Sequence, residues 1–422
     1  MVRIALVVHK FPPASMGGTE IYTLNLAREL SRRGHDVFVF YRHDEPTNRR
    51  GDISWKERDG FTACRVSRAF DYASEHALAQ FLDTFANPDV EVAFRIFLDK
   101  VRPDLVHFQH LMLLSYQLVG LAKQKGLPVL LTLHDYWFIC GNSQLIWPDA
   151  RVCGGRAWGL NCARCALTHV RSPLVQPLRP LVALLLQVRN GLVRQAALRA
   201  DRLITPSHFA IKEYVKAGFP EDRFTHLENG IDAERIWRYP HRPTLDGCLR
   251  FSYLGSLAWQ KGVHVLLEAF RGMPPEKALL RIYGDPTVFP EYTQRLRQRA
   301  DPSNTTFGGR VPNEEVGRIL AETDVLVVPS LWYENSPLVI QEAFAAKVPV
   351  LASRIGALSE KVQHGVSGLL VEPGDATSLR KAVRSLVEHP ARIEGYREHI
   401  PHAATIEGHL DELEWIYNAS GN

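Results

Sequence analysis

No stretch of this sequence approaches the roughly 18 consecutive apolar residues that mark a membrane-spanning helix, so none is expected. Cysteine is scarce. Six in 422 residues do not make a disulfide scaffold. Charge of one sign is scarce as well. Lys plus Arg number 50 and Asp plus Glu 46, a formal charge of +4, which is too small a surplus for a dedicated nucleic-acid binder. Glycine (29) and proline (26) stand at ordinary levels and exclude collagenous and low-complexity chains. The opening run Met1-Val2-Arg3-Ile4-Ala5-Leu6-Val7-Val8-His9 is too short for a signal peptide, and no small-residue cleavage site follows it. It reads as a buried strand. The expected home is a reducing cytosol, with the inner face of the cell membrane as an alternative.

The chain is 45% hydrophobic, enough to build real cores, and its length fits two or three domains of roughly 100–200 residues. Short apolar runs alternate with helix-period stretches in both halves. Arg3–His9, Asp36–Tyr41, Leu105–Phe108, Val129–Leu133 and Arg202–Thr205 read as strands, with helices at Glu20–Arg33, Ser115–Lys125 and His208–Lys216 between them. Residues 229–248, which hold Pro240 and Pro243, read as a linker between domains at 1–228 and 249–405. Beyond it Arg250–Gly255, Leu279–Tyr283, Val325–Val328 and Val348–Ala352 read as strands, with helices at Gly262–Phe270, Glu291–Ala300 and Pro337–Ala346. The tail, 406–422, carries an amphipathic helix that is a candidate to return to the first domain. The expectation is an α/β protein: two facing, doubly wound Rossmann-like domains with a ligand cleft between them.

Three motifs carry chemistry. Gly17-Gly18 lies between the first strand and the first helix, where free helix N–H groups and unhindered backbone suit an anion; a plain tight turn fits too. Glu334 and Glu342 flank the start of a helix in which Ser336 is a cap candidate and Pro337 suits the first turn. Two carboxylates so placed can bind two parts of one polyol, although a helix carboxylate such as Glu342 is often simply solvated. Lys261, in Gly255-Ser256-Leu257-Ala258-Trp259-Gln260-Lys261-Gly262, is placed to neutralise a departing diphosphate, or to lie in solvent.

Together with Gly284-Asp285-Pro286 and Pro329-Ser330, these pieces occur in an order that resembles the retaining glycosyltransferases of the GT-B fold, glycosyltransferase family 4. The resemblance covers nearly the whole chain and implies the following roles. Gly17 and Gly18 set backbone amides near the donor diphosphate or sugar. His134 faces the sugar, Lys261 binds the diphosphate, and Glu334 contacts the sugar hydroxyls. Glu342 holds the ribose, the backbone of Leu338 and Val339 supports the phosphates, and Gly284 and Asp285 wall the base. The implied chemistry is a front-face transfer that needs no divalent metal, from a nucleotide-sugar donor to a glycan or lipid-linked acceptor in cell-surface polysaccharide or glycolipid synthesis. The chain departs from the pattern at Ser256, where an arginine is usual, with Arg310 as a candidate replacement. It departs again at Lys347, where glycine is usual, and at Gly356-Ala357-Leu358-Ser359-Glu360. A GT-B sugar-nucleotide epimerase and an inactive GT-B scaffold are the alternatives.

Two features lie outside the resemblance. Cys140, Cys153, Cys162 and Cys165, spaced C-x12-C-x8-C-x2-C in a cysteine-rich loop at 140–165, suit a structural four-thiolate zinc site; free thiols or two disulfides fit as well. Residues 171–200 interleave Arg171, Arg179, Arg189, Arg194 and Arg199 with Leu and Val. They read either as a helix lying on an anionic membrane or as one packed on the first domain with its arginines in solvent.

Overall fold

The computed structural model describes residues 1–44, 51–67, 77–149, 151–155, 157–168, 173–242 and 247–420. Arg171 and Pro243 lie outside the described residues. The chain forms two compact units. One holds Met1–Leu145, Gly154–Gly230 and Ile406–Asn422, and the other holds Ile146–Cys153 and Ile231–Thr405.

The first unit is built on an eight-stranded sheet. Its strands are β1 (Arg3–Val8), β2 (Asp36–His43), β3 (Ile53–Arg58), β4 (Phe61–Ser67), β5 (Leu105–Phe108), β6 (Val129–Thr132), β7 (Arg202–Thr205) and β8 (Phe224–His226). They lie in the order β3-β4-β2-β1-β5-β6-β7-β8, and every pairing is parallel except β3 with β4. In β1, Ile4 through Val8 are wholly buried because helices cover both faces of a parallel sheet. On one face, Tyr22, Leu26 and Leu30 of the helix Gly18–Arg32 share a core with Leu410, Leu413 and Tyr417 of the tail helix Ile406–Ser420. Two buried polar contacts tie the tail down: Tyr22 Oη to His409 Nε2 at 2.6 Å, and Tyr417 Oη to His107 Nδ1 at 2.8 Å.

The second unit has six strands: β9 (Leu249–Leu254), β10 (Ala278–Tyr283), β11 (Thr305–Gly309), β12 (Val325–Val328), β13 (Val350–Ser353) and β14 (Gly368–Val371). They run parallel in the order β11-β10-β9-β12-β13-β14. The helix Val263–Phe270 packs with Leu379 and Val383 on one face, and Ile340 and Phe344 of the helix Leu338–Ala345 pack on the other. Both sheets reverse strand order beside their first strand, the place where doubly wound sheets bind ligands.

The structure differs from the sequence reading in particular places. Strands β3, β4, β8, β11 and β14 were not expected. The helix expected from Ser115 begins at Leu118, and Ser115 itself forms a turn before it, accepting from the Gln117 N–H at 3.2 Å through Oγ while donating to Glu91 Oε1 at 2.7 Å. The stretch read as a linker contains a helix, Glu234–Trp237, whose Ile236 is a core residue of the second unit. Arg189 of the helix Arg179–Leu198 is neither solvated nor surface-facing. It is buried and donates to the Trp137 carbonyl at 2.8 Å.

Candidate active site

In the first unit the strand order turns between β1 and β5. His9 follows β1, Gln109 and His110 follow β5, and His134 and Asp135 follow β6, so the sheet delivers all of them to one edge. The His9 and His110 rings lie 4.5 Å apart, and His134 lies 4.9 Å from the Tyr22 ring. His110 Nδ1 accepts from the Met112 N–H at 3.0 Å, so its proton sits on Nε2, 2.9 Å from Asp135 Oδ2. His134 Nε2 meets Gln109 Oε1 at 2.9 Å and must be the donor, since the amide oxygen only accepts. Nδ1 is thereby left as an acceptor. Burial, reinforced by the neighbouring His110, lowers the pKa of His134 to about 3 and pulls that of His9 well below the usual imidazole range.

Gly17 is the N-cap of the helix Gly18–Arg32, but the space over it is filled. The Glu20 carboxylate folds back so closely that a Cβ on Gly17 would stand 2.5 Å from its Oε2. Ser15 Oγ donates to Glu20 Oε1 at 2.6 Å, and His9 Nε2 lies 3.6 Å from it. A buried carboxylate there suits a hydroxyl better than a phosphate. Two polar atoms at this edge, His9 Nδ1 and Gln109 Nε2, are buried without a partner. Beside it a groove of about 460 Å³ is lined by Phe11, Pro12, Tyr41, Trp55 and Lys56, among others.

In the second unit the order reverses between β9 and β12. The chain leaving β9 makes a tight turn at Gly262, where φ is +73° and a Cβ would fall 1.9 Å from the Pro329 carbonyl oxygen. Only glycine allows that approach. Leu331 N–H donates to the Gln260 carbonyl at 2.8 Å and completes the clasp. Lys261 is thereby held against the loop after β12. Its Nζ is 2.7 Å from Glu334 Oε1, which also accepts from Ser330 Oγ at 2.7 Å and Trp332 Nε1 at 2.8 Å. Lys261 and Glu334 are thus brought together, and Glu334 is buried.

Glu342 is not the solvated helix carboxylate that was one of its two readings. It is buried, and Arg235 pairs with it while donating to the Asn313 carbonyl at 2.6 Å. Any ribose contact at Glu342 must share or displace Arg235. Sequence reasoning missed Arg235 because it lies in the stretch read as a linker. Ser336 is not a cap: Pro337 takes the N-cap position, Ser336 Oγ is buried without a partner, and the helix starts at Leu338 with Val339 next. The Ile340 N–H donates to the Pro337 carbonyl at 3.1 Å, and the N–H groups of Leu338 and Val339 precede the first full helical turn. Gly284 lets β10 close on β9, since a Cβ there would stand 2.3 Å from the Gly255 carbonyl. Hydrogen bonds from Thr287 hold the Asp285 carboxyl below its usual range, and Arg310 lies 3.8 Å from it. Lys347 adopts φ +56°, the conformation glycine would take, so this departure leaves the turn intact.

The cysteines are divided. Cys140, Cys162 and Cys165 belong to the first unit and Cys153 to the second, and no disulfide joins them. Cys140 Sγ is 2.8 Å from Asn142 Oδ1, and Asn142 Nδ2 is 3.7 Å from Cys165 Sγ. Among the described residues, no three or more His, Cys, Asp or Glu are grouped as a metal site requires. The zinc expectation draws no support from this geometry.

Comparison with known proteins agrees with this layout. The profile of Glycosyltransferase Family 4 matches residues 16–235, and that of Glycosyl transferases group 1 matches residues 246–404. The chain is 28% identical over 408 residues to a glycogen synthase of Mycobacterium tuberculosis, covering 92% of this chain and 87% of the relative. Among solved structures, sucrose-phosphate synthase from Thermosynechococcus elongatus superposes with a TM-score of 0.70 at 21% identity, over 99% of this chain and 98% of the other. Anabaena Alr3699/HepE, in complex with UDP and glucose, superposes with a TM-score of 0.68 at 16% identity, over 99% and 100%. These neighbours share the GT-B fold.

Proposed function

The chain belongs to glycosyltransferase family 4, and from that premise we propose that it moves a sugar from a nucleotide-sugar donor, with retention, to a hydroxyl of a glycan or lipid-linked acceptor. The observation that carries this reading is the Lys261–Glu334 pair, at 2.7 Å, at the β9–β12 switch point beside the start of the helix Leu338–Ala345. One loop there offers a cation and a helix end for a diphosphate, and a carboxylate for sugar hydroxyls.

In the proposed reaction the anomeric carbon–oxygen bond to the diphosphate breaks, and the acceptor oxygen bonds to the same face of that carbon. The acceptor proton goes to the departing phosphate oxygen. Lys261 exchanges Glu334 for the diphosphate as negative charge builds there. Glu334, released, accepts from the donor sugar. In the first unit, His134 is too weak a base to take the acceptor proton, with a pKa lowered to about 3. It serves as a neutral hydrogen-bond acceptor through Nδ1. The partnerless His9 Nδ1 and Gln109 Nε2 add a ring atom and an amide donor for sugar hydroxyls. A surface-polysaccharide or glycolipid acceptor is the reading we favour.

The test is calorimetric titration with UDP, GDP, ADP, dTDP and CMP, without added metal. One nucleoside diphosphate is expected to bind selectively, and Lys261→Ala is expected to weaken it at least about tenfold, the loss of a charge-assisted contact. No binding by any nucleotide, or unchanged affinity in Lys261→Ala, would sink the reading.

A further inference from the structure

The helix Arg179–Leu198 buries one face in the first unit through Ala183, Leu186, Arg189 and Val193. Its opposite face is uncovered and apolar. Leu181, Leu184, Leu185 and Val188 fall at i, i+3, i+4 and i+7, the spacing of one helix face, and all four are exposed, Leu184 by 61%. A lone exposed leucine is ordinary, but a stripe of this length on one helix is not. The turn Ala157–Gly159 runs against the same helix: a Cβ on Gly159 would stand 2.6 Å from the Ala183 carbonyl oxygen. That turn leaves Trp158 89% exposed.

Charge says what covers this face. Residues 154–200 hold seven arginines and no lysine, aspartate or glutamate, a charge of +7 within a protein whose total is +4. Arg189 is spent inside on the Trp137 carbonyl, and Arg194 on Gly218. Arg164 and Arg199 stay exposed. A second copy of the chain would bring two such cationic segments, neither with an acidic residue, against each other, which like charge opposes. An apolar helix stripe with an exposed tryptophan and no acidic residue matches an anionic lipid interface, where leucines enter the acyl boundary and arginines stay at the headgroups.

We propose that this face, the stripe Leu181-Leu184-Leu185-Val188 with Trp158, docks the protein on an anionic membrane surface. It is an interfacial contact: among the described residues no helix is long and apolar enough to cross a membrane. Docking goes beyond the transfer reaction and does not depend on it, since it needs neither donor nor acceptor.

The experiment is co-sedimentation of the full chain with vesicles of phosphatidylcholine alone, and with about one-third phosphatidylglycerol. Binding to the anionic vesicles is expected, weakening as salt rises to about 0.5 M, because screening shortens the reach of the arginines. The double substitution Leu181→Ser/Leu184→Ser is expected to lower partitioning at least about tenfold, since each leucine that leaves the interface forfeits apolar burial. Its melting temperature and nucleotide binding should match the parent's. Arg164→Glu, at an exposed site, is expected to lower partitioning to anionic vesicles only, and it keeps the test decisive if the double variant misfolds. No binding to anionic vesicles overturns the proposal. So does binding that neither substitution changes. Self-association in solution that is lost in the double variant assigns the stripe to a second copy and overturns it as well.

Discussion

The first unit collects His9 and His134 at its strand ends as neutral rings, while the second sets Lys261 against Glu334 and Arg235 against Glu342. Both groups are shielded from water, and burial penalises charge in each. At these strand ends the first unit keeps His9 and His134 uncharged, whereas the second pairs its ions. The difference bears on what each can bind. Neutral rings and partnerless atoms such as His9 Nδ1 and Gln109 Nε2 take on a hydroxyl without giving anything up. An ion pair must be broken or shared before it can hold a phosphate or a ribose, so binding there is an exchange of partners. In the reaction we propose, the Lys261–Glu334 loop takes the charged donor and the strand ends carrying His9 and His134 take an uncharged sugar.

The largest effect that would break this contrast is expected at Arg235. Arg235→Ala leaves the buried Glu342 carboxylate without its partner, a loss of roughly 3–5 kcal/mol. Urea unfolding of the two proteins measures it. A cost below about 1 kcal/mol would mean that the pair behaves like an exposed one, and the contrast would fail.

Acid is expected to act next, and mainly on the first unit. His9, His107, His134 and His409 there all have lowered pKa values, against His241 and His264 in the second. A depressed histidine adds stability that is fully present above the unfolded value of about 6.5. That stability drains as pH falls toward the folded values, about 3 for His134 and about 4 for His409. Hydrogen exchange followed from pH 7 to pH 4 should show first-unit amides losing protection before those of the second. Simultaneous loss in both units would remove the distinction.

The smallest effect concerns Lys347. A left-handed lysine costs about 1 kcal/mol relative to glycine, so Lys347→Gly should raise stability by up to that amount. Unchanged or lower stability would show that the Lys347 Nζ contact to the Ile400 carbonyl, at 3.4 Å, outweighs the backbone term.

Much of this arrangement was legible in the sequence. The strands that read clearly, such as β1 and β12, are continuous apolar runs buried on both faces. The missed ones are short or half-exposed. β3 alternates partly buried with exposed residues, and β8 spans only Phe224–His226. The β3–β4 hairpin did carry a signal: Asp59-Gly60, both at positive φ, is a favoured two-residue turn. In the site, Lys261 and Glu334 were readable because each sits in a local motif at a strand end. Arg235, His110 and Gln109 were not. Arg235 meets Glu342 across 107 residues, and His110 meets Asp135 across 25. Only the strand order brings such partners together, and periodicity does not encode it.

The tail helix has a consequence for how the protein is made. The chain passes from the first unit to the second at Ile231 and leaves again at Thr405, two residues paired with each other by a parallel bridge. Emerging from the ribosome, the second unit is complete once Thr405 is out, whereas the first still lacks Ile406–Asn422. Until those residues follow, Tyr22 and His107 have yet to meet His409 and Tyr417, and the apolar face of Gly18–Arg32 stays uncovered. The first unit is thus completed only after the second, so a chain cut short within Ile406–Ser420 leaves the first unit unfinished and the second whole.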